Sequence, residues 1–231
     1  MATSFAGAGA SNFNTTAGNK TATLAGATLS DLLVVVCATS GVTTAPTVTD
    51  DNSSGTYANI TGALNNTSVD KMWLFVRTAL VPATLSTIIT MTSGGADTGG
   101  GLVVYRLTGM SRTGASAVRQ SAIQQNIAAA TPAPVFGSAA LTGNSCIGAV
   151  LNLTNPATMT PTASPVWTEK HDLGYITPTT GLETQTIDSG FTGTTVTWGS
   201  ASATQFGSLI AEMDSSAVAV TVTRLSALGV G

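Results

Sequence analysis

The only histidine of this chain, His171, stands in the segment Glu169-Lys-His-Asp172, so an imidazole lies next to two carboxylates. Such a trio is raw material for a metal site or a general base. A zinc centre takes three or four ligands with His or Cys prominent, and a Ser or Cys nucleophile needs a base oriented by a third group. The two cysteines, Cys37 and Cys146, lie far from each other and from His171 in the chain, and neither has metal-ligand spacing. The segment therefore reads as a polar loop connecting strands. Glycoside hydrolysis asks for less, only two facing carboxyl groups, one protonated and one ionised. Asp172, Glu183, Asp188 and Glu212 are the candidates, with Glu183 and Glu212 on expected strands. Eleven acidic residues scattered among strand ends and turns are ordinarily solvated, so no catalytic, cofactor-binding or metal-binding residue is expected and the chain reads as a non-enzyme.

Trp73, Trp167, Tyr175 and Trp198 raise a different chemistry, because exposed aromatic faces are platforms for carbohydrate. Trp73 has apolar neighbours and reads as core. Trp167 and Tyr175 flank His171, and these three form the candidate ligand patch. Gly94-Gly95 and Gly99-Gly-Gly101 are not followed by a helix or by a Gly-Lys-Ser/Thr ending, which sets aside a phosphate loop and leaves glycines that connect strands.

The elements that must position these groups follow from composition and pattern. Charged residues make up 8% of the 231-residue chain, against roughly 25% in an ordinary globular protein. Hydrophobic residues make up 43% and the mean hydropathy is +0.32, which argues for a folded core and against disorder. The longest apolar run, Leu32 to Ala38, is far short of the roughly 20 residues of a spanning helix, and the first residues lack the pattern of a secretory signal. Neither membrane insertion nor Sec export is expected. The net charge is −3 and the eight basic residues are dispersed, so nothing lines up against a row of phosphates and no nucleic-acid partner is expected.

Asp31-Leu-Leu-Val-Val-Val-Cys-Ala-Thr39 is apolar at successive positions and reads as a central strand covered on both faces. Lys71 to Ala79, Ser86 to Thr92 and Leu102 to Thr108 follow as antiparallel strands, and Asp50-Asp-Asn-Ser-Ser-Gly55 reads as the turn of a hairpin between Thr47-Val-Thr49 and Tyr57 to Thr61. Ala115 to Pro134 is read as extended, with a weak helical stripe of Val118, Ile123 and Ile127 as the alternative. The second half supplies Cys146 to Leu153, Gly181 to Ile187, Thr194 to Trp198, Phe206 to Glu212 and Ala217 to Thr223. Many short strands without a strongly helical segment predict an all-β fold, a two-sheet antiparallel sandwich of jelly-roll type. Leu33, Val35, Leu74, Val76, Val103, Val150 and Leu209 are expected in one core. Cys37 and Cys146 are expected to be buried thiols, with a long-range disulfide as the alternative.

These strands and turns carry a resemblance. Asp31-Leu-Leu-Val-Val-Val, Val48-Thr-Asp50 with its polar turn and Tyr57, Trp73 with Arg77-Thr-Ala79, and Val104-Tyr-Arg-Leu-Thr-Gly109 resemble structural proteins of tailed bacteriophages. Trp167 to Tyr175, Pro178, Gly181-Leu-Glu183 and Gly190 to Gly199 are similar to the C-terminal part of the same proteins, so the likeness runs from about Thr21 to Asp214. The resemblance implies a virion component assembled in the host bacterial cytoplasm, decorating or cementing a capsid, with a tail or fibre position as its nearest variant. Its implied partners are major capsid or tail proteins and further copies of itself. The rival class is a carbohydrate-binding module directed at a host-surface glycan. Within this reading, residues 1–18 are an arm, 19–224 one sandwich domain and 225–231 a tail, with Phe5, Phe13, Leu228 and Val230 as candidate interface residues.

Overall fold

The computed structural model describes residues 3–6, 9–26, 30–52, 55–65, 69–82, 86–127, 131–152, 159–176, 179–199 and 206–215. In chain order the strands are β1 (Ser4–Phe5), β2 (Ala10–Asn14), β3 (Lys20–Ala25), β4 (Leu32–Ser40), β5 (Thr47–Asp50), β6 (Tyr57–Leu64), β7 (Asp70–Arg77), β8 (Ser86–Thr92) and β9 (Gly99–Thr108). A 3-10 turn, Gly114–Ala117, leads into β10 (Val118–Ile127), β11 (Cys146–Asn152), β12 (Thr160–Pro161), β13 (Thr168–Ile176), β14 (Thr179–Ile187), β15 (Trp198–Gly199) and β16 (Phe206–Met213). The fold is all-β, and every strand pairing among the described residues is antiparallel.

The first large sheet has the order β9-β4-β7-β6, with β1 and β2 both along the free edge of β9, and the second has the order β10-β16-β11-β14-β13. They face each other as a sandwich. Leu32, Val34, Val36, Leu74, Val76 and Val103 from one meet Ile147, Ala149, Leu151, Leu182 and Leu209 from the other. Each sheet comes from one half of the chain, so the strand order does not establish the expected jelly-roll connectivity.

The double-sided apolar pattern of β4 has a direct cause. Its other face, Leu33, Val35 and Cys37, is covered by a three-stranded sheet of order β3-β8-β5 through Ala22, Val48, Ile89 and Met91. A third apolar layer lies on the outer face of the second large sheet, where Cys146, Val150, Phe206 and Ile210 pack under Phe136, Trp167, Phe191, Val196 and Trp198. The single core expected from sequence is thus corrected. Leu33 and Val35 belong to one layer, Leu74, Val76, Val103 and Leu209 to a second, and Val150 to a third, because alternate side chains of a strand leave on opposite faces. Cys37 and Cys146 are free and buried in different layers, and burial pushes both thiols up.

Other expectations are also corrected. The turn at residues 50–55 reverses the chain, with the Asp50 amide donating to the Gly55 carbonyl at 3.1 Å, but its flanking strands part. β5 pairs with β8 and β6 with β7, leaving only a Thr49–Thr56 bridge of the hairpin. Gly99 to Gly101 are not connectors but part of β9, where a Cβ on Gly100 would stand 2.3 Å from the Ala38 carbonyl oxygen and one on Gly101 2.1 Å from that of Asn12. Only glycine lets β4 and β2 approach this closely from both sides. The run from Thr194 to Trp198 forms a single bridge, Thr195 with Val135, before the short β15. The stretch around Val118 is extended, as expected.

The N-terminal segment is likewise no free arm. β1 and β2 pair with β9, the Phe5 amide donates to Asp188 Oδ1 at 2.7 Å, and Phe5 is buried edge-on to Tyr105. A side chain packed in its own core is not presented to a neighbour, which removes Phe5 from the interface candidates. Phe13 is half-buried against the same core. Leu228 and Val230, and the expected strand over residues 217–223, lie outside the described residues.

Candidate functional site

The Glu169 to Asp172 segment is a strand and not the loop read from its polarity, since β13 is the edge strand of the second sheet. Its alternation divides the candidate residues between two faces. His171 pairs with Thr184 on the inner face, where the Tyr105 hydroxyl reaches His171 Nδ1 at 3.2 Å and also bonds Thr184 Oγ1. Burial, then the charge of Lys170, lowers the His171 pKa, opposed by a backbone hydrogen bond with Gly9. Neutral His171 thus joins β2, β9 and β13 at the seam between the sheets. Its folded pKa is lowered, so it contributes stability above the unfolded value near 6.5 that is lost as pH falls below it. Replacing His171 with Gln is expected to flatten this acid limb of a pH series of thermal melts, and an unchanged limb would show that the seam does not depend on the imidazole.

Trp167 lies on the opposite face, buried with its ring edge-on to Phe191 at 5.2 Å, and so does not form a patch with His171. The side chain of Tyr175 lies outside the described residues. The candidate patch of Trp167, His171 and Tyr175 is corrected on this ground: the two side chains that can be placed point away from each other across the sheet.

The remaining candidates separate by partner. Glu212 is fully buried and accepts from Arg119 at 2.5 Å, Gln120 and Asn144 at 2.6 Å, and the Leu141 amide at 2.8 Å, which makes it an anchor for the 138–144 loop. Asp188 holds β1, as described. Trp73 is core, with Lys71 Nζ 5.5 Å from its ring centroid. Among the described residues, no group of three or more His, Cys, Asp or Glu is placed to hold a metal ion, and no helix is long and apolar enough to cross a membrane.

Glu183 differs from all of these. On the outer face of the second sheet it pairs with Val150 on one side and Asp172 on the other, while Gln185 lies between Gly148 and Glu169. Glu183 is 1% exposed and Gln185 fully buried, yet neither oxygen of Glu183 and neither polar atom of Gln185 has a hydrogen-bond partner. The indole nitrogens of Trp167 and Trp198 are also buried without partners. Burial first, then the charges of Glu169 and Asp172, raises the Glu183 pKa to about 9; the Met159 backbone offsets part of this without reaching hydrogen-bond geometry. Glu183 is therefore a neutral acid at pH 7, opposite the exposed carboxyl of Asp172 with Cβ atoms about 5 Å apart. Met159, just before β12, reaches Glu183, and the Trp198 ring of β15 lies over Gly148 beside Gln185, so these segments cover this face, while Asp172 stands exposed on the edge strand.

Gln185 was missed by sequence reasoning, which singled out Trp198 only as a possible aromatic platform, and the reason is physical. Glu183-Thr-Gln185 alternates like a solvated strand face, and nothing local announces that segments without periodic pattern fold over it. No family model matches this chain, and no curated protein matches it either.

Proposed function

We propose that the chain is a structural protein of a tailed-bacteriophage virion, a capsid-decorating or cement component that binds neighbouring virion subunits and carries out no catalysis. The supporting observation is the outer face of the β3-β8-β5 sheet. Thr21, Thr23 and Ala25 on β3, Ser86, Ile88, Thr90 and Thr92 on β8, and Thr47 and Thr49 on β5 form a surface of hydroxyl and methyl groups in register, Thr21 opposite Thr90 and Thr90 opposite Thr49, whose one charged neighbour among the described residues is exposed Asp51, accepting from the Ile88 amide at 2.9 Å. Ile88 is 43% exposed near its centre. Hydroxyl and methyl groups lose less on desolvation than Lys or Glu, so such a face suits close contact with another subunit. The resemblance of the strand and turn pattern to phage structural proteins points the same way.

The reading is tested in purified particles, by mass spectrometry for presence and cryo-microscopy for position. Thr90→Lys places a charge at the centre of the face and is expected to lower incorporation by about tenfold or more while leaving the melting temperature unchanged. Undiminished incorporation of that variant would rule out this face as the contact, and density at the tail would reassign the position.

A further inference from the structure

We infer that the outer face of β13 and β14 is a binding site for a neutral polyhydroxylated ligand of the sugar class, received by Glu183, Gln185 and the indole N–H groups of Trp167 and Trp198. The inference is independent of the virion reading. The register places the groups together: Glu183 and Gln185 alternate on one face of β14, Glu169 lies on the same face of β13, Trp167 just before β13 packs in the layer over that face, and the Trp198 ring lies over Gly148, the cross-strand partner of Gln185. A Cβ on Gly148 would stand 3.0 Å from Trp198 Cζ2 and 3.5 Å from Gln185 Cγ.

The unpartnered atoms define the ligand. An indole N–H only donates and needs an acceptor, so a bare cation does not satisfy it. Glu169 and Asp172 disfavour an anion. A neutral carboxyl and a carboxamide each donate and accept, and a hydroxyl group does both in return. An extended peptide would instead be taken by the backbone groups of the β13 edge. The face reaches solvent along that edge, from buried Glu183 to exposed Asp172. The cover is held by two β12–β15 residue pairs, two bonds between Thr162 and Thr197, the Val196 and Trp198 amides donating to the Pro134 and Pro132 carbonyls, and the packing of Met159, Ala163, Val196 and Trp198 in the outer apolar layer, so the ligand approaches along the β13 edge and not by displacing the cover.

The three tryptophans supply the test, with Trp73 as internal control because it lies in a different layer. Methyl glycosides of glucose, galactose, mannose, N-acetylglucosamine and rhamnose are titrated to millimolar levels into the ¹⁵N-labelled full chain. With at least one of them, the indole resonances of Trp167 and Trp198 are expected to shift saturably while Trp73 stays fixed. Gln185→Met is expected to weaken that response about tenfold, the effect of one lost hydrogen bond of this kind. Failure of every glycoside to move either resonance in the folded parent would mean that water alone meets these groups, and the inference would fall. A shift that is undiminished in folded Gln185→Met, or that includes Trp73, would place the sugar elsewhere and overturn it equally.

Discussion

Asp50→Asn is expected to destabilise the protein by about 3–5 kcal/mol, the loss typical when one partner of a buried ion pair is removed. The side chains of Asp50 and Arg77 are both fully buried, with Arg77 Nε 2.6 Å from Oδ2 and Nη2 3.3 Å from Oδ1 of the carboxylate. Arg77 Nη1 donates to the Ala79 and Leu80 carbonyls, both at 2.9 Å, and the Tyr57 hydroxyl donates to Asp50 Oδ2 at 2.9 Å. The pair ties β5 in the small sheet to β7 in the large one. Burial, with the charge of Asp50, pushes the Tyr57 pKa up and keeps this hydroxyl a donor. Asparagine keeps the shape but leaves a guanidinium uncompensated in the interior. For a chain of this size the loss corresponds to a melting temperature lower by roughly 6–20 °C. The double variant Asp50→Asn/Arg77→Met is expected to recover part of it, since no unpaired charge then remains. A single variant within about 1 kcal/mol of the parent in denaturant melts would show that water reaches Arg77 and that the pair does not hold the two sheets together.

This pair marks the boundary of what was legible in the sequence. Apolar patterning reports how many faces of a strand are covered, and it placed β4, β7, β9, β11 and β16 correctly. It does not report which layer covers which face, so one expected core became three. Acidic residues at strand ends read as solvated, because burial of Asp50 or Asp97 depends on a partner distant in sequence, Arg77 or Lys20. Phe5 read as part of a loose arm for the same reason. Its partners Tyr105 and Asp188 lie about a hundred residues or more away, and a two-residue strand has no periodicity to detect. The candidate site was legible only in its residue types. Glu183, Asp172 and Trp167 were singled out, but the split of β13 into two faces and the cover over Glu183 are set by tertiary packing.

The cover has a measurable consequence, because Glu183→Gln is expected to stabilise the protein, increasingly so as pH rises. The Glu183 pKa lies near 4.5 in the unfolded chain and about 9 in the folded one. Between these values the unfolded chain releases a proton that the folded chain keeps, so stability falls with rising pH at up to about 1.4 kcal/mol per unit. The accumulated cost is about 3 kcal/mol at pH 7 and about 6 kcal/mol at pH 9, and it vanishes below pH 4.5, where both states hold the proton. Glutamine occupies the same volume and never ionises, so the variant and parent should melt alike at pH 4 and diverge steadily up to pH 9. His171 contributes the opposite slope on the acid side, and because it is present in both proteins it cancels in the difference. Asp172→Asn separates the causes: removing that charge lowers the folded pKa of Glu183, so the parent's loss should end at a lower pH while burial keeps most of it. Parallel pH profiles for Glu183→Gln and parent would mean that the carboxyl ionises freely in the folded state. The cover would then be open to water, and the neutral acid on which the sugar site depends would not exist at pH 7.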